Sequence, residues 1–299
     1  MAVGVGTLQS GGIAAAPEAP STWSMFFWRL RHNTKAVIGI SIVAFLLFVA
    51  VFAPLLAPKD PTDGQLSDSL HPPSSTYLLG ADKNGRDVLS RLIYGTRTAI
   101  GGALVVVLIS ECIGVPLGIW AAYRGGWVDG LVTRVWDMLL AFPPLLLSFA
   151  VVAAFGPSLR NVVLSLGILY IPFTSRVVRS VTLVQKEMTY TEAARAMGYG
   201  QRRIIFRHIL PNCISPVIVV SSLDLAYALL DIAALSFLGL GIQPPTPDWG
   251  SMLSEGQLVL LTAPHLALAA GFAIVLGVLG FNLLGDGLCD VLDPRQAQR

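Results

Sequence analysis

From Ala36 to Ala57 the chain runs 22 residues without a single charge. A helix rising 1.5 Å per residue needs about 20 apolar residues to cross the hydrocarbon core of a bilayer. Lipid offers the backbone no hydrogen-bond partner, so only helices and closed barrels can cross it, and runs this long and continuous are helices. Further apolar segments bounded by charge, Gly or Pro place spans at approximately 36–57, 98–122, 131–155, 159–178, 213–240 and 265–287. Composition agrees, with 54% hydrophobic and 13% charged residues and a mean hydropathy of +0.68, values of the membrane class. The expected fold is all-α, a polytopic membrane protein with six transmembrane helices.

The run at 36–57 is too long for a signal-peptide core and lacks a small-x-small cleavage site, so it reads as a retained first span. Before it lies a tail rich in Gly, Ala, Pro and Ser, expected to be partly disordered. The chain divides into a tail at 1–35, a transmembrane domain at 36–290 and a second tail at 291–299. With the N-terminus inside, fourteen Lys and Arg residues fall on the inner side and six on the outer. The positive-inside rule therefore puts both termini in the cytoplasm.

Several chemistries are excluded. The net charge is only +2 and the basic residues sit at span ends, which is no nucleic-acid surface. Cys112, Cys213 and Cys289 are too far apart to suggest a disulfide framework or a Cys-based metal site. The four histidines lack ligand spacing, so no metal is expected. No Ser/His/Asp or Cys/His arrangement points to a catalytic residue.

Two outer segments are longer than a simple connection needs. Arg86 to Gly95 alternates charged and apolar residues at helical spacing, which predicts an amphipathic helix along the membrane surface. Gln243 to Gly250 is a proline-rich loop ending in a tryptophan expected at the interface. Gly114 and Gly118 give the small-xxx-small spacing that lets helices approach closely.

The inner segment between spans four and five is the most distinctive. Thr189 and Glu192 have capping-box spacing, which predicts a helix from about Thr189. Ala193, Ala194 and Ala196 propagate it with little side-chain bulk, and Gly198 supplies the left-handed residue that ends it. Such a rod is about 12 Å long. A second helix is expected from Gln201 to His208, with Pro211 opening the next span. Two readings fit: a solvated connector whose Glu192 only caps its own helix, or a docking element pushed from outside the bilayer.

Glu192-Ala193-Ala194, then Gly198, then His208 ahead of Leu210-Pro211, resembles the EAA loop of ATP-binding cassette importer permeases. His208 stands where the broad pattern has isoleucine, as in the peptide and nickel branch. Three further segments resemble that branch: Leu79 to Arg91, Ala234 to Gly250, and Asn282 to Gly287 with Leu292-Asp293-Pro294. The similarity runs from about residue 25 to the C-terminus and is closest to the C-type permease of dipeptide and oligopeptide importers. It implies a type I importer permease fold in a bacterial inner membrane, with segment 189–211 as a cytoplasmic coupling-helix pair. It also implies a second, homologous permease subunit forming a heterodimer, two ATPase subunits and an extracytoplasmic solute-binding protein. The coupling residues would be Glu192, Ala193, Ala194, Gly198, His208, Leu210 and Pro211.

The chain itself has no Walker A motif: after Gly80 and Gly85 stand Arg86-Asp87, where Lys-Ser/Thr is required. No cofactor is expected here; ATP and Mg would be bound by the partner subunits. The chain is then a non-catalytic subunit.

Charges inside spans are costly and need a partner or a watery cavity. Asp224 and Asp231, seven residues apart, project on one helix face about 10 Å apart. They are candidates for the translocation path, where they would attract a protonated peptide terminus; the alternative is a bond to a neighbouring helix or subunit. Glu111, mid-span, is assigned no function. Asp137 and Asp286 read as structural. Asp248, Trp249, Arg86 and Asp87 are candidate contacts for the binding protein, with an interfacial anchor and turn as the alternative for the first two. A secondary transporter driven by an ion gradient and using the span-five acids remains open, as does a nickel or other small-solute substrate.

Overall fold

The computed structural model describes residues 22–292. The segments 1–21 and 293–299, with Asp293, Pro294, Arg295 and Arg299, lie outside the described residues. Thr22–His32, expected as part of the tail, is a helix (α1), and Asn33 caps the next one by accepting from the Ala36 amide at 3.0 Å. The remaining helices are α2 (Thr34–Val51), α3 (Ala53–Leu56), α4 (Val88–Arg124), α5 (Gly126–Leu140), α6 (Pro144–Phe155), α7 (Leu159–Gln185), α8 (Thr189–Ala196), α9 (Gln201–Ile204), α10 (Leu210–Phe237), α11 (Trp249–Gln257) and α12 (Pro264–Leu292).

Five helical runs are each long and apolar enough to cross a membrane, and α5 with α6 makes a sixth crossing bent by 80°. The bend is the largest departure from the expected straight span at 131–155. Its cause is Pro143-Pro144: neither residue donates an N–H, and a proline drives the residue before it out of the helical region. Pro143 is accordingly extended (φ −57°, ψ 125°), and Pro144 restarts the helix. The second difference is at α4, which begins at Val88, so the stretch expected to lie on the membrane surface is the first turns of a 37-residue spanning helix.

Contacts fix which ends lie together. Lys35 pairs with Asp290 at 3.2 Å, and the Lys186 ammonium donates to the Ala122 carbonyl at 3.2 Å. The starts of α2 and α10 and the ends of α4, α7 and α12 therefore share one end of the bundle, the tail end. At the other, the loop end, lie residues 57–87, 156–158 and 238–263. The Lys59 amide donating to Ser90 Oγ at 3.0 Å marks the closure there. Gly125 and Gly126, with φ of +67° and +58°, reverse the chain between α4 and α5.

With no hydrophobic drive between helices in lipid, close packing must hold them. A Cβ on Gly114 would stand 3.0 Å from the Ile171 carbonyl oxygen and one on Gly118 2.6 Å from that of Ser175, so the expected small-residue stripe seats α7 on α4. Hydroxyls cross-link the same region: Ser110 with Thr174 at 2.8 Å and Ser148 with Ser165 at 2.6 Å. On the opposite flank α2 crosses α12, where a Cβ on Gly39 would meet the Leu284 amide nitrogen at 2.3 Å.

Gly39→Val should therefore force α2 and α12 apart, lowering stability by about 1–3 kcal/mol or more. Gly101→Ala, whose Cβ meets nothing within 4 Å, should leave stability unchanged or raise it. Thermal midpoints of the detergent-solubilised protein check both; equal midpoints for the two variants would show that this crossing is not tightly packed.

Candidate functional site

The segment between α7 and α10 hangs from the tail end of the bundle. Helix α8 is eight residues long and begins after Met188, whose backbone is extended and which offers no side-chain cap. Thr189 is thus the first helical residue, not the cap, and the expected Thr189–Glu192 capping box does not form. Thr191 anchors the helix instead: it is fully buried and its hydroxyl donates to the Gln185 carbonyl at 2.8 Å. The Tyr190 hydroxyl reaches the Gln185 side chain, while Asn212 donates to the His208 carbonyl at 2.6 Å and the Tyr190 hydroxyl at 3.4 Å. These links tie α8 to the first turn of α10.

The end of α8 follows the sequence expectation. Gly198 is left-handed (φ +78°), its amide bonds the Arg195 carbonyl at 2.9 Å, and the Tyr199 amide bonds Ala194 at 3.0 Å. That pair of bonds is a Schellman cap. Ala194 faces inward and packs with Ile119, Val178, Ile204, Ile209 and Cys213. Glu192, Ala193, Arg195, Ala196 and Met197 form an exposed outer face. The second expected helix is not separate. A single turn, α9, runs through a widened π turn at Ile205–Ile209 into α10. The wide turn accommodates Pro211, which has no N–H to give a regular turn. His208 and Leu210 are half-buried, and Pro211 is exposed. Arg179 grips Asp129 through two bonds of 2.6 and 2.7 Å, and Arg176 pairs with Asp137, as the structural reading of that acid anticipated.

Within the bundle, Asp224 and Asp231 line one cleft of about 340 Å³, with Pro143, Pro144, Tyr170, Phe173 and Tyr227 among its walls. The bend between α5 and α6 supplies the prolines. Asp231 accepts from the Tyr170 hydroxyl at 2.9 Å. Asp224 is 8% exposed, and its Oδ2 has no hydrogen-bond partner. Glu111 on α4, given no role from sequence, accepts from Ser221 at 2.8 Å and Thr174 at 3.4 Å. Its partners come from α7 and α10, and no local spacing signals them.

At the loop end the structure corrects the sequence reading. Arg86, Asp87, Asp248 and Trp249 are all buried, so their side chains are not displayed for an external protein. The Arg86 Nε donates to Asp82 at 2.7 Å and its Nη2 lies 3.5 Å from Glu255 on α11. Asp87 caps α4 and Asp248 caps α11, through the amides of Ser90 at 2.8 Å and Ser251 at 2.9 Å. The Trp249 indole is wedged beside Gly95 of α4 and Gly277 of α12, and donates to the Leu92 carbonyl at 3.0 Å. Among the described residues no three His, Cys, Asp or Glu side chains converge as metal ligands.

Residues 114–298 match the family of binding-protein-dependent transport system inner membrane components. The chain belongs to this family. Residues 21–73 match the N-terminal transmembrane domain of oligopeptide transport permease C. The dipeptide transport system permease protein of Alkalihalophilus pseudofirmus is 42% identical over 93% of this chain and 91% of that protein. The glutathione transport system permease protein of Pectobacterium atrosepticum is 44% identical over 90% of each chain. Among solved structures, the inward-facing MetNI methionine ABC transporter has a TM-score of 0.57 at 17% identity, covering 68% of this chain and 97% of that one. That likeness shows the fold of an importer permease. As a binding-protein-dependent inner membrane component, the chain is a multi-pass membrane protein and a subunit of a transport system.

Burial pushes the Asp248 carboxyl above its usual range, against the hydrogen bond from the Ser251 amide. A raised folded-state value means the proton is held more tightly in the fold than in the unfolded chain. Stability from this group is then full below about pH 3.9, the unfolded value, and is lost as pH rises through the folded one. Asp248→Asn keeps the cap and should gain on the parent protein as pH rises, whereas Asp248→Ala should lose about 1 kcal/mol from the missing cap. Unfolding midpoints against pH decide it; a pH-independent gap between Asp248→Asn and the parent would remove the buried-carboxylate account.

Proposed function

We propose that this chain is one of two permease subunits of an ATP-driven importer of peptides. In this reading α8 is gripped by an ATPase subunit in the cytoplasm, and the Asp224–Asp231 cleft lies on the translocation path. Both termini are cytoplasmic, in keeping with twelve basic residues on the tail end's side against six on the other among the described residues. The peptide class is carried by the similarity to dipeptide and glutathione permeases and to oligopeptide permease C. A solute-binding protein would deliver substrate to the loop end, meeting surface other than the buried Arg86, Asp87, Asp248 and Trp249.

The observation that carries the coupling role is the two-sidedness of α8. One alanine is sunk into the bundle, while Glu192, Ala193 and Ala196 face outward with little bulk, a shape that enters a cleft on another protein. The rod is tied through Tyr190 and Asn212 to α10, the helix that bears both acids. Force on α8 therefore has a short route to the cleft. The path role rests on cost. An ionised Asp at mid-span costs about 2.5–3.5 kcal/mol even on the mildest scale, and among the described residues neither acid has an ion-pair partner. Asp231 is only half-buried, so its face turns toward water or another subunit, not toward lipid tails.

Gly198→Val tests the coupling role. A Cβ there meets nothing within 4 Å, so the penalty is purely the left-handed backbone, about 1–2 kcal/mol, and the cap should unravel. In the reconstituted transporter, ligand-stimulated ATP hydrolysis should fall by about tenfold or more, the size of a 1.4 kcal/mol change, with membrane insertion intact. Gly198→Asn should retain most of it. Normal stimulated turnover in the valine variant would refute the role. For the path, Asp224→Asn combined with Asp231→Asn should abolish uptake while the complex still assembles; undiminished uptake removes the acids from the path.

A further inference from the structure

The cleft between α6, α7 and α10 has a composition that its two acids alone do not explain. Three aromatic rings, Tyr170, Phe173 and Tyr227, stand around it with Asp224 and Asp231. The rings are oriented for different tasks. Tyr170 is buried and spends its hydroxyl on Asp231. Phe173 and Tyr227 are 40% and 59% exposed. Asp224 is buried at the cleft wall, and its Oδ2 is left without any donor. No Lys or Arg is among the lining residues. Aromatic faces carry negative potential and attract cations within about 6 Å, while a buried carboxylate without a partner demands a donor. A compact cation bearing N–H groups, with an apolar remainder to lie against Pro143, Pro144 and Leu145, meets both demands.

We propose that this cleft is an ammonium-binding site that holds the protonated amino group of the cargo as it passes. The inference rests on the translocation-path reading and adds the chemistry of what is held there. Asp224 supplies the open acceptor. Asp231, fixed by Tyr170, supplies charge. Phe173 and Tyr227 supply ring faces that tolerate any side chain on the cargo. A site of this kind reads the free amino terminus shared by all peptides, and refuses a peptide whose terminus is acylated. The acid on α4 does not line the cleft; Glu111 accepts from Ser221 and Thr174 through one oxygen, and its other oxygen is buried without a partner.

The test uses the purified complex of both permease and both ATPase subunits, without the binding protein, so that the binding protein's own selectivity is absent. A Leu145→Cys variant, with Cys112 and Cys289 replaced by serine, places a thiol on the cleft wall; Cys213 is buried. Maleimide labelling of that thiol is timed with methylammonium, glycylglycine, N-acetylglycylglycine or sodium chloride at equal ionic strength. Methylammonium and glycylglycine should slow labelling by the factor 1 + [L]/Kd, about tenfold near ten times Kd. Sodium and N-acetylglycylglycine should not, and adding Asp224→Asn with Asp231→Asn should cancel the protection. Equal protection by N-acetylglycylglycine, or none by either ammonium probe, overturns the inference and leaves the path reading in place. That second result is also what a lysine or arginine from the other permease, seated in the cleft, would give. A thiol that maleimide never reaches, in a complex that elutes intact, overturns both readings together.

Discussion

A backbone amide in hydrocarbon has no water to fall back on, and this decides where the chain is permitted to stop being a helix. Each interruption, within the bundle or at its tail end, is backed by something that satisfies or removes the loose groups. At the α5–α6 bend two prolines eliminate donors. At the π turn the Leu210 amide reaches back to Ile205, and at Gly198 two reverse bonds close the end of α8. The candidate functional features are gathered at these same interruptions: the bend forms a wall of the acidic cleft, and the turn joins the exposed rod to α10.

The same scarcity of alternatives governs polar side chains. Inside the bundle, Tyr170 is spent on Asp231, and Ser221 with Thr174 on Glu111. At the loop end Arg86 and Arg91 gather around Asp82, with Glu255 beyond. Breaking one partner out of such a buried set leaves a charge uncompensated, a loss of about 3–5 kcal/mol. Against that background the open oxygens are few: Asp224 Oδ2 and Glu111 Oε2 inside the bundle, and Asp87 Oδ1 at the loop end, are buried without a partner.

Helix class, the spanning runs and the short α8 helix with its glycine end were legible in the sequence, because they are written in local patterns: apolar run length, basic residues at span ends, and Gly198 after an alanine run. What escaped depended on contacts between distant residues. Arg86 to Arg91 has the alternation of a surface helix, and only the approach of α11, some 160 residues on, turns it inward. Trp249 looked like an interfacial anchor, yet Gly95 and Gly277 make room to bury it. The Thr189–Glu192 spacing matched a capping box, but Thr191 was claimed by Gln185 and the helix began without it. The break at Pro143-Pro144 was visible in the residues, and the apolar run on both sides concealed it. Asp224 and Asp231 were placed on one face by spacing alone, whereas the rings around them come from a different helix as well.

The wedge of Trp249 between α4 and α12, beneath the ionic set around Asp82, gives the bundle a fixed pivot at one extremity. Helix α4 is 37 residues long, about 55 Å at 1.5 Å per residue. A rotation of about 10° about that pivot, where the indole meets Gly95, would sweep Arg124 through roughly 8 Å, while the tryptophan scarcely shifts. The Gly125-Gly126 reversal, with open space around both residues, is where so large an arc can be absorbed without dragging α5 along. Small angular changes at the loop end would thereby be magnified into broad travel at the tail end.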